Sequence, residues 1–591
     1  MSRRPNYRRL ALLIGLFFLA LFPNAGPPAV ASPRASGQIV ANEKTFVAPA
    51  EHGALTRQGG GTGPSGEMGS TGGDTLLYTS DVVDAGQLFD HVGVHWIAER
   101  GTEDRFFLEL RTSGDGSTWS EWSLLGPDED MHNVDTNEWY APPQLAVDNA
   151  HFAQYRVWLT DGDPTDVVRV GMTFMDVNDL NAGPVARLVN DVVGAAKDIA
   201  RSFAEPALAS AAPAGATRIL SRGDWAADEN LMKWVPRTYP VRKAVVHHTV
   251  TDDGGSNVAA TIRSIYYFHA VTRGWGDIGY SYIVDKYGNV WAGREGGDGT
   301  EAGHAYGWNR GSIGIAALGT FSTTAPTAAM VGAIANIIAT KFTQFGVQPF
   351  GADEFTHQEK ASDGTWENIV SNPPNVQGHR DCNYIESQTG GQTACPGNAL
   401  YGKLATIRSM AQNAVNQGYV QMPYLETTLP KAGYPGGTVS VGVTVMNRGK
   451  TNIPAGTNVS YKILQKGRVV TAQGTSAAIA NDIGPGGVGA VTVPLMTPAI
   501  GNYIVRWDLQ TAGTWWNPVY GSPVREQYFR GADWSVDWVT DNVPINWTAG
   551  ETKMISATLA NDGGRVWNAA GAGPVQLDYA SVRGSLPRHG A

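Results

Sequence analysis

The sequence predicts a multidomain chain in which a central mixed α/β domain is flanked by all-β sandwich modules. Length is the first indication, because 591 residues is more than a single domain of ~100–200 residues usually holds. The 72 glycines and 33 prolines are a second indication, since they favour β-rich modules with many turns. The third is that residues 218–418 mix helical and strand patterns, whereas the segments on either side show strand patterns.

Residues 1–31 are expected to be a secretory signal peptide. Four arginines precede the apolar run Leu10–Phe22, and Ala29-Val30-Ala31 resembles a cleavage site. The apolar run is too short for a membrane span, which takes about 20 residues. We therefore expect a secreted or cell-wall protein with no stable membrane span after signal removal. Residues 32–74 are poor in bulky apolar side chains and are predicted to be a flexible linker.

The charge of the chain argues against nucleic acid as a partner. Lys and Arg total 44, Asp and Glu total 54, and the net charge is −10. No run of basic residues interrupts this acidic balance, so the sequence lacks the electrostatic footprint of a nucleic-acid-binding protein.

Residues 75–177 carry short strand-like segments separated by turn signals, which predicts a β-sandwich module. Trp119 and Trp122 follow a Gly-containing turn and are expected to be exposed, where they could stack on sugars. Trp96 and Trp158 lie within strand patterns and are expected in the core. Residues 178–217 are predicted to form a connector helix followed by an Ala/Pro-rich linker.

The central domain, residues 218–418, shows the periodicity of a sheet covered by helices. Apolar spacing predicts strands near 243–248, 279–285, 289–293 and 312–318, and helices near 258–270, 328–345 and 399–415.

Candidate metal-ligating residues lie at the end of the strand predicted near 243–248. The apolar pair Val245-Val246 runs into His247-His248, and buried imidazoles need hydrogen bonds or a metal ion. Gly378-His379 and Ala394-Cys395 follow later in the chain. Histidine and cysteine are zinc ligands, and three protein ligands leave a fourth position open for water. His248 is expected to pack away from the site, because neighbours along a strand point to opposite faces.

Four motifs in residues 218–418 together resemble the peptidoglycan recognition protein / type 2 N-acetylmuramoyl-L-alanine amidase family. They are Val245–Thr249, Gly274–Tyr280, Asn309–Ile315 and Gly378–Asp381 with Ala394–Gly397. The resemblance implies zinc held by His247, His379 and Cys395. It implies catalytic roles for Tyr280 and Thr393. It also implies substrate contacts, which we assign to His304, Asn309 and Trp275. Tyr282 alternates with Tyr280 onto one strand face and is assigned as a further substrate contact, with packing in the core as the alternative.

The activity that the resemblance implies is zinc-dependent hydrolysis of the amide between the muramic acid lactyl group and L-alanine. The partner would be bacterial peptidoglycan, through its glycan strand and stem peptide. The alternative is a catalytically inactive peptidoglycan-binding or recognition protein. Inactive relatives typically lose a ligand, and retention of all three ligand residues favours the enzyme.

The two cysteines leave a second alternative open. Cys382 and Cys395 are close in sequence, and an oxidising compartment would permit a disulfide between them. Such a bond would remove the thiolate from the zinc site. The ligand interpretation is preferred because Ala394–Gly397, followed by a helix, resembles the family's ligand context.

Residues 420–530 alternate with period two and predict an immunoglobulin-like β module. Gly436-Gly437-Thr438 recurs as Gly550-Glu551-Thr552, and Asn447-Arg448-Gly449 recurs as Asn561-Asp562-Gly563, both 114 residues further on (550 − 436 and 561 − 447). The equal offsets predict that residues 535–591 are a partial second copy of the module.

Overall fold

The computed structural model of the protein describes eleven stretches of the chain. They are residues 39–47, 75–98, 106–125, 138–159, 167–177, 219–382, 393–418, 422–516, 524–532, 536–541 and 556–561, with gaps at 229–230, 235, 256, 297–298, 361–365 and 466–467. The predicted signal peptide and connector helix, and most of the predicted linkers, lie outside the described residues. Within these stretches, no helix is long and apolar enough to cross a membrane.

Seven strands make up the N-terminal module over its described stretches. They are β1 (Val40–Val47), β2 (Thr75–Thr79), β3 (Val83–Ala98), β4 (Phe106–Ser113), β5 (Ser123–Leu125), β6 (Glu138–Leu159) and β7 (Val167–Asp176). They form one antiparallel sheet in the order β1-β7-β3-β6-β4-β5, with β2 paired to β6. We expected two separate sheets. Instead, register shifts within β3 allow one continuous sheet to bend around its own core.

Strand β1 lies inside the segment predicted to be a linker. Its residues pair with β7 in unbroken register, from Val40 opposite Asp176 to Val47 opposite Arg169. The linker prediction is therefore wrong over these eight residues. Pairing with a strand more than a hundred residues away supplies the backbone hydrogen bonds, and local composition does not reveal such a partner.

Trp119 and Trp122 are half-buried and take part in a ladder of cation–π contacts. The Arg111 guanidinium lies 4.6 Å from the ring centroid of Trp119 and 4.5 Å from that of Trp122. Arg156 lies 4.3 Å from Trp122 and 5.1 Å from the buried Trp158. The prediction that both rings are exposed stacking platforms is wrong, because intramolecular guanidinium groups occupy the Trp122 ring. Burial of Trp158 confirms its predicted place in the core.

The described residues of the central domain form eight strands and four α-helices. The strands are β8 (Ile219–Leu220), β9 (Lys243–His248), β10 (Tyr282–Val284), β11 (Val290–Ala292), β12 (Ser312–Ala317), β13 (Phe355–Lys360), β14 (Trp366–Ser371) and β15 (Val376–Gly378). The helices are α1 (Val258–Tyr267), α2 (Ala328–Phe345), α3 (Asn398–Tyr401) and α4 (Leu404–Gln417). A π-helix, Phe268–Thr272, continues α1, and a 3-10 turn, His379–Asp381, follows β15.

Six of these strands form the central sheet in the order β15-β9-β12-β10-β11-β8. Strand β9 pairs in parallel with both β12 and β15. Helices α2 and α4 pack on the face that carries Val246, and α1 packs on the opposite face. The carboxyl ends of β9 and β15 therefore open at one edge of the sheet, where α/β proteins place their ligands.

Two features of the central domain differ from the prediction. The helix expected over 399–415 is interrupted between α3 and α4, at Gly402 and Lys403. The hairpin β13–β14 was not predicted, because the segment Phe355–Lys360 is polar except for its first residue and lacks an apolar alternation.

The part of the C-terminal module that the structure describes forms ten strands. They are β16 (Pro423–Thr427), β17 (Ala432–Gly433), β18 (Thr438–Asn447), β19 (Asn458–Gln465), β20 (Arg468–Thr471), β21 (Ser476–Ala478), β22 (Val488–Met496), β23 (Gly501–Thr511), β24 (Thr514–Trp515) and β25 (Arg525–Gly531). A three-stranded sheet, β16-β18-β22, and a seven-stranded sheet share one core around Trp507.

Beyond the C-terminal module, β26 (Val536–Asp541) pairs antiparallel with β27 (Ala557–Asn561). These strands end 114 residues after the ends of β16 and β18 (541 − 427 and 561 − 447), which also pair antiparallel. This correspondence is what a second copy of the module would produce, and the repeat stays a prediction.

The ladder predicts unequal costs for its two half-buried tryptophans. Trp122→Ala should lower the free energy of unfolding of the N-terminal module by about 2–3 kcal/mol, because it removes a half-buried ring and two cation–π contacts of ~0.5–1 kcal/mol each. Trp119→Ala also removes a half-buried ring but only one such contact, and should cost about 1–2 kcal/mol. Calorimetry of the full chain measures both. Equal losses for the two variants would contradict the ladder.

Candidate metal centre

The site forms where β9 and β15 end side by side. Gly378, the last residue of β15, pairs in register with Val246 of β9. The next residues of the two strands, His379 and His247, are therefore neighbours, and their ring centroids lie 4.4 Å apart. Alternation along β9 sends Val246 into the core under α2, so His247 points to the other face.

Cys395 completes a cluster of three buried donors. One ligand atom each from His247, His379 and Cys395 lies within 4.8 Å of the other two. His247 Nδ1 is 3.6 Å from Cys395 Sγ. A tetrahedral zinc ion with bonds of about 2.0–2.1 Å to nitrogen and about 2.3 Å to sulfur would place those two atoms about 3.5 Å apart. The donor types and this spacing fit zinc.

The two cysteines are not joined by a disulfide. Both cysteines are buried, and both are free thiols. Cys382 Sγ accepts a hydrogen bond from Gln377 Nε2 at 3.1 Å, whereas Cys395 faces His247. The disulfide alternative is therefore contradicted, and Cys395 keeps a thiol that can become a ligand.

A chain of hydrogen bonds fixes the tautomer of His247. The Ser312 hydroxyl donates to the Trp308 carbonyl at 2.6 Å, and so its oxygen accepts from His304 Nε2 at 3.2 Å. His304 Nδ1 must then accept, and it takes the Nε2–H of His247 at 3.0 Å. This leaves the lone pair of His247 on Nδ1, the atom that faces Cys395. The arrangement is the one that a metal-ligating histidine requires.

The chain of hydrogen bonds from Trp308 through Ser312 and His304 to His247 forms a relay, and both of its imidazoles are neutral. Burial lowers the pKa of His304 to about 3. Burial, with the neighbouring His379 and His304, lowers the pKa of His247 well below its usual value. Neutral imidazole, with one donor and one acceptor nitrogen, is the form that both the relay and a metal ion need.

Arg380 holds the Cys395 turn against the strand end that carries His379. Its backbone N–H donates to the Cys395 carbonyl at 3.0 Å, and its guanidinium donates to the Ala394 carbonyl. Residues 383–392, which separate the two ligands in sequence, lie outside the described residues. Bonds from Arg380 thus set the spacing of the ligands directly across this interval.

Three aromatic side chains border the cluster. The buried Tyr280 ring lies 5.6 Å from that of His247 and 5.6 Å from that of His269, and His269 lies 4.7 Å from Trp275. His269 Nδ1 accepts the Gly279 N–H at 3.1 Å, so Nε2 carries the proton and lacks a hydrogen-bond partner among the described residues. The sequence motifs assign His269 no role in the site. Its position six residues before Trp275 was the only signal.

Thr393 lies at the start of the Cys395 turn. Its hydroxyl oxygen accepts the Cys395 N–H at 3.0 Å, which leaves the hydroxyl proton available for donation.

Several residues predicted to contact substrate have other surroundings. His304 is buried behind His247, with both ring nitrogens used in the relay. The side-chain oxygen of Asn309 accepts the N–H groups of His304 and Ala305, both at 2.9 Å, so Asn309 shapes this loop.

Tyr282 packs in the core on the side of α2 and not beside Tyr280. Strand β10 begins only at Tyr282, so the alternation that would put both rings on one face does not extend back to Tyr280. His357 is buried and stacks on Trp308 at 4.1 Å. His248 packs away from the site, as predicted, and its Nδ1 accepts the Phe321 N–H.

Comparison with known proteins gives the class of domain that the motifs in residues 218–418 predict. The family model described as N-acetylmuramoyl-L-alanine amidase matches residues 237–398. Peptidoglycan-recognition protein LE of Drosophila melanogaster is 33% identical over 129 residues, which cover 22% of this chain and 37% of that protein. A human N-acetylmuramoyl-L-alanine amidase is 36% identical over 94 residues, covering 15% of this chain and 16% of the relative.

A solved structure of recognition protein LE in complex with tracheal cytotoxin is 27% identical, with a TM-score of 0.24, over 32% of this chain and 92% of that chain. The chain thus spans well under half the length of both curated relatives described here.

The central third of the chain is, at the level of the family, an amidase-type domain. It belongs to the peptidoglycan recognition protein / type 2 N-acetylmuramoyl-L-alanine amidase family. The rest of the described chain is β-rich.

The relay predicts that Ser312 contributes to metal affinity without touching the metal. Ser312→Ala should weaken zinc binding by about 10–100-fold, because His304 loses the acceptor that sets its tautomer. Chelator competition with the purified full chain measures the affinity. Ser281→Ala is the matched control, since the Ser281 hydroxyl accepts the Gly314 N–H and touches no imidazole of the relay. Unchanged affinity in Ser312→Ala would contradict the relay.

Proposed function

We propose that residues 218–418 act as a zinc-dependent N-acetylmuramoyl-L-alanine amidase. The reaction is hydrolysis of the amide between the lactyl group of muramic acid and L-alanine in bacterial peptidoglycan. The observation that carries the proposal is the convergence of His247, His379 and Cys395, with the lone pair of His247 Nδ1 directed at Cys395. The family match over residues 237–398, which includes all three ligands, supports the reaction class.

When bound, zinc supplies a Lewis acid that activates water and polarises the amide carbonyl. The side chains of this protein supply the remaining functions. Tyr280, whose ring lies 5.6 Å from that of His247, offers a phenol hydroxyl as a donor for the tetrahedral oxyanion. Thr393, two residues before Cys395, offers a second hydroxyl. His304 and Ser312 orient His247, and they do so from behind it, where substrate does not reach.

Peptidoglycan as the substrate agrees with the expected secretion of the chain. The Drosophila relative carries peptidoglycan recognition in its name, and the human relative is named as an N-acetylmuramoyl-L-alanine amidase. The net charge of −10 offers no attraction to anionic wall polymers, so contacts with neutral sugar and peptide groups must provide the affinity.

A second candidate function is recognition of peptidoglycan without catalysis. The names of the recognition-protein relatives favour it. Against it stands the complete ligand set, because a domain that only binds peptidoglycan has no need for a buried thiol and two oriented imidazoles.

Mass spectrometry of purified peptidoglycan after incubation with the zinc-loaded full chain tests the proposal. We expect free stem peptides that begin with L-alanine, and glycan strands that have lost them. His379→Ala should bind less zinc and release no peptide, because two ligands hold zinc poorly. If the zinc-loaded chain binds peptidoglycan and releases no stem peptide, recognition without catalysis is the correct function.

Tyr280 is predicted to stabilise the transition state and not to hold the metal. Tyr280→Phe should retain one zinc ion per chain and lower kcat by ~10²–10³, the usual cost of one oxyanion donor. Zinc analysis and steady-state kinetics on a soluble muropeptide measure the two properties separately. An unchanged kcat, or loss of zinc, would remove this role.

A further inference from the structure

The N-terminal module packs directly against the segment that borders the metal centre. Phe268, at the start of the π-helix, lies against the backbone of Gly93 in β3, where an added Cβ would stand 2.6 Å from the ring. The Phe268 ring also meets the Tyr140 ring of β6 edge to face, at 5.9 Å and 78°. The next residue is His269, which contacts Tyr280 and Trp275 at the site. One short segment therefore faces the module on one side and the site on the other.

Arg273 connects the module to the aromatic border of the site. Its guanidinium lies 4.1 Å from the ring centroid of Tyr140 and 5.0 Å from that of Trp275. Trp275 in turn packs against His269, with the ring centroids 4.7 Å apart and the planes tilted by 40°. The cation is thus shared between a ring of the module and a ring that borders the metal centre, and contacts of this kind fix the relative positions of both rings.

The module holds Tyr140 rigidly from behind. The Tyr140 hydroxyl donates to Glu138 at 2.8 Å, and its ring stacks on His95 at 5.3 Å. The other carboxylate oxygen of Glu138 is bonded to His95 at 2.8 Å and to Arg169 at 3.0 Å. Burial raises the pKa of Glu138, but the bonds from His95 and Tyr140 outweigh it and lower the pKa to about 2. Glu138 therefore stays ionised and keeps its partners.

The boundary between the module and the domain is a continuous core. Met175 and Val177 of the module belong to the same buried cluster as Trp225 and Ile262 of the central domain. Arg263 also donates from Nε to the Val177 carbonyl at 2.7 Å. A boundary with a shared apolar core and buried polar bonds resists the sliding that is usual between domains.

We propose that Tyr140 and Arg273 are positioning residues for the active site, so that the N-terminal module forms part of the catalytic unit. Through Arg273, Tyr140 holds Trp275 against His269, and this wall sets the affinity for the muropeptide. The proposal rests on the proposed function, since it assigns a role in binding the same substrate. Neither residue touches the reacting atoms.

Kinetics of full-chain variants on a soluble muropeptide test the proposal. Tyr140→Ala should raise KM about tenfold, with kcat and zinc content nearly unchanged, because a displaced wall costs substrate affinity. Tyr140→Phe keeps the ring that Arg273 covers and should restore most of the affinity. Tyr78→Ala is the matched control, because its half-buried ring packs on Tyr155 inside the module and away from the boundary. It should leave KM unchanged.

Arg273→Met provides a second variant that leaves the core of the module intact. It should reproduce the rise in KM of Tyr140→Ala even if that variant folds poorly. Equal KM values for Arg273→Met, Tyr140→Ala and Tyr78→Ala would overturn the positioning role.

Calorimetric binding of the same muropeptide to zinc-free protein, beside a cleavage assay of the zinc-loaded chain, separates the two proposals. If the zinc-loaded chain does not cleave and the zinc-free chain binds, the amidase assignment fails, and the same variants then report positioning through Kd. Weaker binding by Tyr140→Ala and Arg273→Met than by Tyr78→Ala supports the positioning role of Tyr140 and Arg273. If the unaltered chain neither cleaves nor binds, both proposals are wrong.

Discussion

The hydrogen-bond chain from Trp308 through Ser312 and His304 to His247 is the interaction on which the site depends. A buried imidazole has two possible neutral tautomers, and only one presents a lone pair to a metal ion. The direction of the chain is set by its first member, because a backbone carbonyl can only accept. Each following donor and acceptor is then determined, and Nδ1 of His247 is left as the free acceptor at the cluster.

The sheet brings the ligands together although they are far apart in sequence. Parallel pairing of β15 with β9 places His379 beside His247, more than 130 residues earlier in the chain. Cys395 has no strand to carry it, and the bonds from Arg380 to its turn take over that function. Strand pairing and the bonds from Arg380 therefore bring together three side chains that a single local motif supplies in simpler metal sites.

The N-terminal module has a different relation to the central domain than its sequence suggests. A β module joined by an Ala/Pro-rich segment looks like a tethered unit, yet it shares a buried core with α1 and the π-helix. Its Trp122 has its ring covered by Arg111 and Arg156 and so stabilises the module from within. The surface of the module that carries Tyr140 and Gly93 packs against Phe268, in the π-helix that borders the site. π-helical turns such as Phe268–Thr272 often occur at functional sites.

The sequence alone determined the elements with strong periodicity and the three residues, His247, His379 and Cys395, that the structure brings together. Strand Lys243–His248 and helix Ala328–Phe345 have the predicted bounds, because a buried strand and an amphipathic helix impose repeating apolar positions. Only the tertiary structure decided what surrounds each side chain. It placed His304 behind His247, Tyr282 in the core, and Val40–Val47 in a sheet. Those outcomes depend on partners distant in sequence and on where a strand begins, and local composition contains neither.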